Sequence, residues 1–408
     1  MPETKEEAAP RRFRLSRFLI FLAIVLSVVF VALYSFFNIN PLDAIKSGLD
    51  GIYQSMIQTV GESNQKVTEV FSNDAGEQLS YGALSNGIAV GSVSAVRFID
   101  SDGTERWYVP VTLKKPLIRT VDQDILVADL GGRYFGIIRD GKILWDKTID
   151  MDIVNANFSK DWVLLITKSD QTGYKRTIHA YSRDGQEIAF RNISDYYPIS
   201  AYHFPQFDAA DFIVCGVETQ SLETASLFEF LDLSMNQKGS FRGANEIYTG
   251  ALPFSEGKLL LSGEKSLICV DKALGTLWNI DLGSDFLTAS GITPGGTTVA
   301  ALLNGEILGR EKRQQTALKM INSQGAVTSS TDIDAAVTGV ETAGRTIACV
   351  AGSEVYFMND KGEIMDMYTS RSPVDEVCLA NEGLAYVIGG GIVVSVKVKV
   401  KDKFLGIF

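Results

Sequence analysis

Histidine is nearly missing from this sequence: His179 and His203 are the only two in 408 residues. So thin a supply leaves little material for imidazole acid–base chemistry or for a histidine-ligated metal. Cysteine is sparse as well. Cys215, Cys269, Cys349 and Cys378 each lie inside an apolar run and none is spaced C-x-x-C, which speaks against zinc and for buried free thiols. A basic surplus is also missing, since 38 Lys and Arg face 49 Asp and Glu for a net charge of −11. A chain this acidic is a poor general partner for nucleic acid. No G-x-S-x-G, P-loop or H-E-x-x-H pattern occurs, and Gly131-Gly132 reads as a strand-to-strand turn rather than a phosphate cradle. Proline is held to 10 residues, whereas 46% of the chain is hydrophobic, enough for a large packed core.

Long apolar runs are missing too, with one exception. Residues 18–37 (FLIFLAIVLSVVFVALYSFF) carry no charge. At roughly 1.5 Å per residue they span about 30 Å, the thickness of a bilayer's hydrocarbon core. The run ends in Tyr34-Ser35-Phe36-Phe37 without a small-residue cleavage site, which favours an uncleaved anchor over a signal peptide. Arg11, Arg12, Arg14 and Arg17 flank its amino-terminal side, so the positive-inside rule places the tail 1–17 in the cytoplasm and everything after the span outside. Residues 38–72 follow as a juxtamembrane segment. There Pro41 can open a helix whose apolar stripe runs through Leu42, Ile45, Leu49, Ile52, Met56 and Val60. Gly48, Gly51 and Gly61 weaken that helix, so it is expected to need a surface: the domain's own flank, the bilayer or a second copy.

From residue 73 to 408 the chain repeats itself. The unit is clearest at 270–278 (VDKALGTLW): an apolar strand, a polar turn closed by glycine, and a strand carrying a bulky aromatic. Variants recur at turns containing Gly103, Gly141, Gly185, Gly239, Gly275, Gly325 and Gly362. Glycine suits that place because tight hairpins need a residue tolerant of positive φ. Each repeat reads as an outer-loop segment, an apolar strand such as 162–167, a loop, a second strand such as 176–181, the glycine turn and a last strand. Apolar runs of four to six residues fit strands covered on both faces. After the last turn, 374–400 supplies three further strands without such a turn, which predicts a final unit closed by a segment from before the first repeat. The expected fold is an all-β, eight-bladed β-propeller, with seven blades as the alternative.

The pattern apolar-x-Asp-x-x-x-Gly-x-x-Trp resembles the tryptophan-docking repeat of pyrroloquinoline-quinone-like propellers. It is similar also to the repeats of the lipoprotein propeller of the outer-membrane β-barrel assembly machine. Trp107, Trp145 and Trp278 match the docking tryptophan, with Phe190 and Phe241 as substitutes. The whole layout resembles an uncharacterised family of single-pass, propeller-bearing membrane proteins from Gram-positive anaerobes. Quinone enzymes of this class imply calcium ligands and an adjacent Cys-Cys pair. This chain has no such pair, so no cofactor is expected.

Three groups are candidates for chemistry. Residues 100–105 (DSDGTE) have the oxygen spacing of a calcium-loop fragment, but a hairpin turn needs the same composition. The pairs Asp150/Asp152 and Asp332/Asp334 could face a central channel as paired carboxylates, or be solvated loop acids. Two repeats carry insertions between their second and third strands, at 218–226 and 304–315. Arg310, Lys312 and Arg313 on the second, with Lys175 and Arg176 of the third repeat, form a candidate partner-binding cluster on one propeller face. The expected function is a non-catalytic protein–protein interaction scaffold anchored at the outer face of the membrane. The alternative is an envelope enzyme or small-ligand sensor using the channel.

Overall fold

A computed structural model describes residues 67–73, 77–218, 225–244, 246–254, 257–304 and 314–399. The span expected at 18–37 and most of the juxtamembrane segment lie outside the described residues. Among the described residues no helix is long and apolar enough to cross a membrane.

These residues form eight four-stranded antiparallel sheets, the blades of an eight-bladed propeller. Blade 1 covers 80–110, blade 2 116–148, blade 3 153–193, blade 4 196–244, blade 5 248–281, blade 6 286–333 and blade 7 337–369. Blade 8 takes three strands from 376–397 and its fourth from Val67–Ser72, which pairs with Ile392–Lys397 so that Val67 faces Val396. The predicted closure by a segment preceding the first repeat is therefore how the ring shuts.

Strands are lettered A to D from the axis outward. Strand B is the most buried because a blade lies against each of its faces. In strand B of blade 2, Asp124–Asp129, the side chains of Ile125 and Val127 enter the core shared with blade 1. Those of Leu126 and Ala128 enter the core shared with blade 3. The period-two alternation of a strand thus feeds two cores at once, and one such core fills each of the eight joints.

Strand A corrects the sequence reading, which placed an outer-loop segment there. Segments such as Ile153–Phe158 (IVNANF) and Val337–Ala343 (VTGVETA) are the innermost strands, and the A strands of successive blades pack side by side around the axis. They carry no apolar run because one side of each is only partly covered, and the burial of Val337–Ala343 shows it.

The C–D turns also correct the reading. Six turns share one design, in five of which the first residue's side-chain oxygen accepts from the amides two and four positions on, while Ser182 Oγ accepts only from Gln186 N, four positions on. Asp271 Oδ1 does so from Ala273 at 2.8 Å and Gly275 at 2.9 Å, and Asn322 and Asn359 repeat it at 3.0 Å. The fourth residue takes the left-handed conformation, and a bulge follows in the ladder, as three-residue hairpins require. That residue is Gly103, Gly185, Gly325 or Gly362 in four turns, with φ of 80–90°. In blades 4 and 5 it is Met235 and Leu274, both at φ 63°, and not the expected Gly239 and Gly275. Blade 2 uses a two-residue turn instead, with Asp140 at φ 47° and Gly141 at φ 72°.

Each docking tryptophan reaches from strand D of its own blade to the turn of the next. A Cβ added to Gly141, Gly185 or Gly325 would lie 2.9, 2.7 or 2.8 Å from Trp107, Trp145 or Trp278, so glycine is required there by proximity as well as φ. Trp145 Nε1 donates to the Arg183 carbonyl at 2.8 Å and Trp278 Nε1 to the Ser323 carbonyl at 3.2 Å, closing two joints with directed bonds. Phe190, at the docking position of blade 3, is 59% exposed. The joint between blades 3 and 4 is held instead by buried Glu229, which accepts from Arg191 Nη2 and Tyr196 Oη, each at 2.8 Å.

Candidate functional site: the propeller axis

Several sequence candidates resolve into structural parts. Asp100 caps its hairpin by accepting from Thr104 N at 3.0 Å and is ion-paired with Arg106, so its oxygens serve the turn. Among the described residues no cluster of three or more His, Cys, Asp or Glu could hold a metal. The aspartate pairs do not form a channel dyad. Asp152 pairs with Lys168 at 2.8 Å and Arg133 at 3.5 Å, and the hydrogen bond and charge of Lys168, aided by Arg133, lower its carboxyl below the ordinary value. Asp332 sits on the outermost strand of blade 6, Val327–Ile333.

Both histidines are engaged. His179, 5% exposed, lies between Thr167 Oγ1 at 3.2 Å and Glu187 Oε1 at 2.7 Å. His203 Nδ1 meets Ser159 Oγ at 3.1 Å beside a cavity of about 40 Å³, room for little more than a water. Ser159 Oγ also accepts from Trp162 N at 3.2 Å, so it caps a loop. Arg310, Lys312 and Arg313 lie outside the described residues, whereas Lys175 and Arg176 come together over the Tyr197 ring, at 4.9 and 5.6 Å from its centroid.

The A strands around the axis carry a further set of ionisable groups, of which Tyr81 and Cys378 also pack on the core between blades 8 and 1 and Tyr202 on that between blades 4 and 5. Ile118 and Thr120 of blade 2 press on blade 1, where an added Cβ at Gly82 would meet them at 2.9 and 2.6 Å. Arg119 between them therefore points to the other side of its strand. By the same alternation Val340 and Thr342 of blade 7 face Gly291 of blade 6, and Glu341 turns away from it. Val377 is buried in the joint of blades 7 and 8, so Glu376 and Cys378 turn away from that joint, with Cys378 Sγ 3.7 Å from Glu376 Oε1. Tyr81 of blade 1 and Tyr202 of blade 4 complete the group. The Tyr202 ring stacks on Phe204 at 5.4 Å, and its hydroxyl lies 3.8 Å from where a Cβ of Gly250 would sit.

Glu341, Glu376 and Arg119 act on one another electrostatically. Glu341 keeps an open face to solvent yet is walled by protein on its remaining sides. Burial first, and then the charge of Glu376, push its carboxyl up to about 7, against a hydrogen bond from the Thr342 amide and the charge of Arg119. Burial raises Glu376 as well, with the Cys378 hydrogen bond and Arg119 opposing. The Cys378 thiol is driven well above its ordinary range by burial and by Glu376 and Glu341, so it stays protonated and a weak nucleophile. Tyr81 rises to about 12 through burial and the carboxylates Glu376, Asp375 and Glu77. Arg119 is the one cation that recurs in these shifts. No motif in the sequence marks this set, because it is drawn from five A strands and no two of its blades repeat it.

Comparison with known proteins agrees on the fold. Residues 59–218 match a family of unknown function (DUF5711). The search of curated proteins returned no match. Among solved structures, Sqt1 of Saccharomyces cerevisiae superposes with a TM-score of 0.60 at 11% identity, over 82% of this chain and 100% of that one. The quinohemoprotein alcohol dehydrogenase ADHIIG of Pseudomonas putida HK5 gives 0.55 at 11% identity, over 83% and 77%. BamB of Moraxella catarrhalis gives 0.53 at 15% identity, over 83% and 99%. At these identities the likeness is one of fold, and the neighbours include an enzyme, so fold does not assign the activity.

Proposed function

We propose that this protein is a membrane-tethered scaffold: residues 18–37 anchor it, the tail 1–17 lies in the cytoplasm, and the propeller outside holds a protein partner without catalysing a reaction. The observation that carries this reading is the patch where blades 3 and 4 meet. Tyr197, 42% exposed, takes Lys175 and Arg176 over its ring, while Tyr174 precedes Lys175 and Ile199 follows on the same strand, 42% and 44% exposed. Tyrosine and arginine are the side chains that protein interfaces concentrate. Two cations on a strongly acidic chain suit an acidic partner surface. The resemblance to propeller-bearing membrane proteins of Gram-positive anaerobes supports the envelope as the setting.

The test uses the full chain in its own membrane. Tyr197→Ala with Arg176→Gln should abolish crosslinking to at least one neighbouring protein and leave the melting transition in place. Persistence of every crosslinked neighbour removes the patch from consideration. External protease on intact cells should digest the propeller and spare the arginine tail, and a protected propeller overturns the orientation.

A further inference from the structure

The ring closes at blade 8, and the joint of blades 7 and 8 is built differently from a joint that docks a tryptophan. In blade 5 Trp278 stands opposite Cys269, just before the bulge, and fills the seam towards blade 6. At the same register in blade 7 stands Asp366, opposite Phe357. Its carboxylate accepts from the Lys399 amide at 3.2 Å but has none of the bulk of an indole. In blade 8 strands C and D are 392–397 and 67–72, so no hairpin turn joins them to receive an indole either. The outer part of this joint is accordingly an open cleft of about 240 Å³. Tyr368 and Ser370 wall it from blade 7, and Val67, Val387, Ile392 and Val394 from blade 8. For want of cover, Val67 and Ile392 are 42% and 40% exposed.

The chain itself delivers an occupant to this cleft. Val398 is buried in the core of the same joint, and Lys399 is held at Asp366, two residues before Tyr368 on the strand that walls the cleft. The sequence continues through residues 400–408 (VKDKFLGIF), which lie outside the described residues. Val400, Phe404, Leu405, Ile407 and Phe408 make it largely apolar, and Phe404 comes five positions after Lys399. Five residues of extended chain reach about 17 Å. From Asp366 to Ser370 is four residues of strand, about 13 Å, so Phe404 can reach the length of the cleft.

We propose that residues 400–408 dock in the cleft between blades 7 and 8 of their own propeller, with Phe404 taking the place that Trp278 has between blades 5 and 6. Docked there, the ring covers Val67 and Ile392 while touching blade 7, and so latches the closing strand Val67–Ser72. So short a tether gives Phe404 an effective concentration in roughly the millimolar range, which favours its own cleft over that of a second copy. The inference is independent of the patch where blades 3 and 4 meet.

The experiment is limited trypsin digestion of the full chain in detergent, with cleavage after Lys401 and Lys403 followed by mass spectrometry. The parent should be cut there about tenfold more slowly than Phe404→Ser, or slower still, because cleavage follows the population of the undocked form. Ser370→Trp, which fills the cleft with an indole, should free the segment to a similar degree and leave the melting transition in place. Tyr197→Ala with Arg176→Gln should change nothing, which separates failure here from failure of the scaffold. If Ser370→Trp does not fold, hydrogen exchange decides: protection of the Val67–Ser72 amides should fall about tenfold in Phe404→Ser. Equal protection of that strand in the parent and Phe404→Ser overturns the proposal, as does equal cleavage of the two. Protection that fades on dilution also overturns it and assigns the cleft to a second copy.

Discussion

At the rim, Trp145 and Trp278 do the same thing in two places, each crossing from its blade to the next blade's turn and donating to a carbonyl there. On the axis, Arg119, Glu341 and Glu376 come from blades 2, 7 and 8, and no other blade supplies an equivalent. The rim is periodic because closing a ring is the same problem at every joint. Side chains that occur once serve no joint in particular, and they are where a repeat protein's individual chemistry is to be sought. The joint of blades 3 and 4 stands between these cases, since it has lost the docking contact and substitutes a buried ion pair.

Four measurements would break or sharpen this contrast. Glu229→Ala should have the largest effect, because it strips the partner from Arg191 and Tyr196 in a joint that lacks a docked tryptophan; breaking a buried pair costs about 3 kcal/mol or more. A urea midpoint near the parent value would show that apolar packing alone holds that joint. Next, Trp278→Ala should cost about 2–3 kcal/mol, below the fully buried range since the ring is only half-buried, whereas Phe190→Ala should stay within about 0.5 kcal/mol. Equal thermal shifts for the two would end the claim that docking is real in one blade and lost in the other. Third, Gly325→Ala should cost about 1–2 kcal/mol for its positive φ and its contact with Trp278, while Gly275→Ala should be nearly neutral. The reverse order would restore Gly275 as the turn residue.

The smallest effect is electrostatic. The Glu341 carboxyl titrates higher in the folded protein than its usual 4.5, so the folded state holds more protons between that value and about 7. Stability should therefore decline as pH rises through this window and level off above it. Glu341→Gln should flatten that part of the profile, and an unchanged slope would mean that Glu341 is solvated like any surface acid.

The apolar B strands were legible because two covering blades leave a continuous run, as in Leu259-Leu260-Leu261. The A strands were not, because a half-covered strand such as Val337–Ala343 mixes threonine, glycine and glutamate and looks like a loop. The turns were legible but misregistered in blades 4 and 5. There glycine is a conspicuous but indirect marker, and the side-chain oxygen of Asp232 or Asp271 fixes the register through its bonds to the backbone amides. Glu341 and Glu376 stand 35 residues apart with no motif between them, so only the ring's geometry brings them together.

The closing strand has a consequence for biosynthesis. Thr68 lies among the first strand residues to leave the ribosome, and Ser395, which reaches its carbonyl at 3.4 Å, is 327 positions later. Seven blades can stack in order of translation, but Val67–Ser72 must wait as an orphan strand, with Val70 and Phe71 lacking their eventual cover. A ribosome stalled before 376–397 would present an open arc with a bare apolar face on blades 1 and 7 and an unpaired edge on the waiting strand. Such an arc is a substrate for chaperones and for misassembly between nascent copies. Quality control of this protein therefore turns on the three strands of 376–397 that complete blade 8.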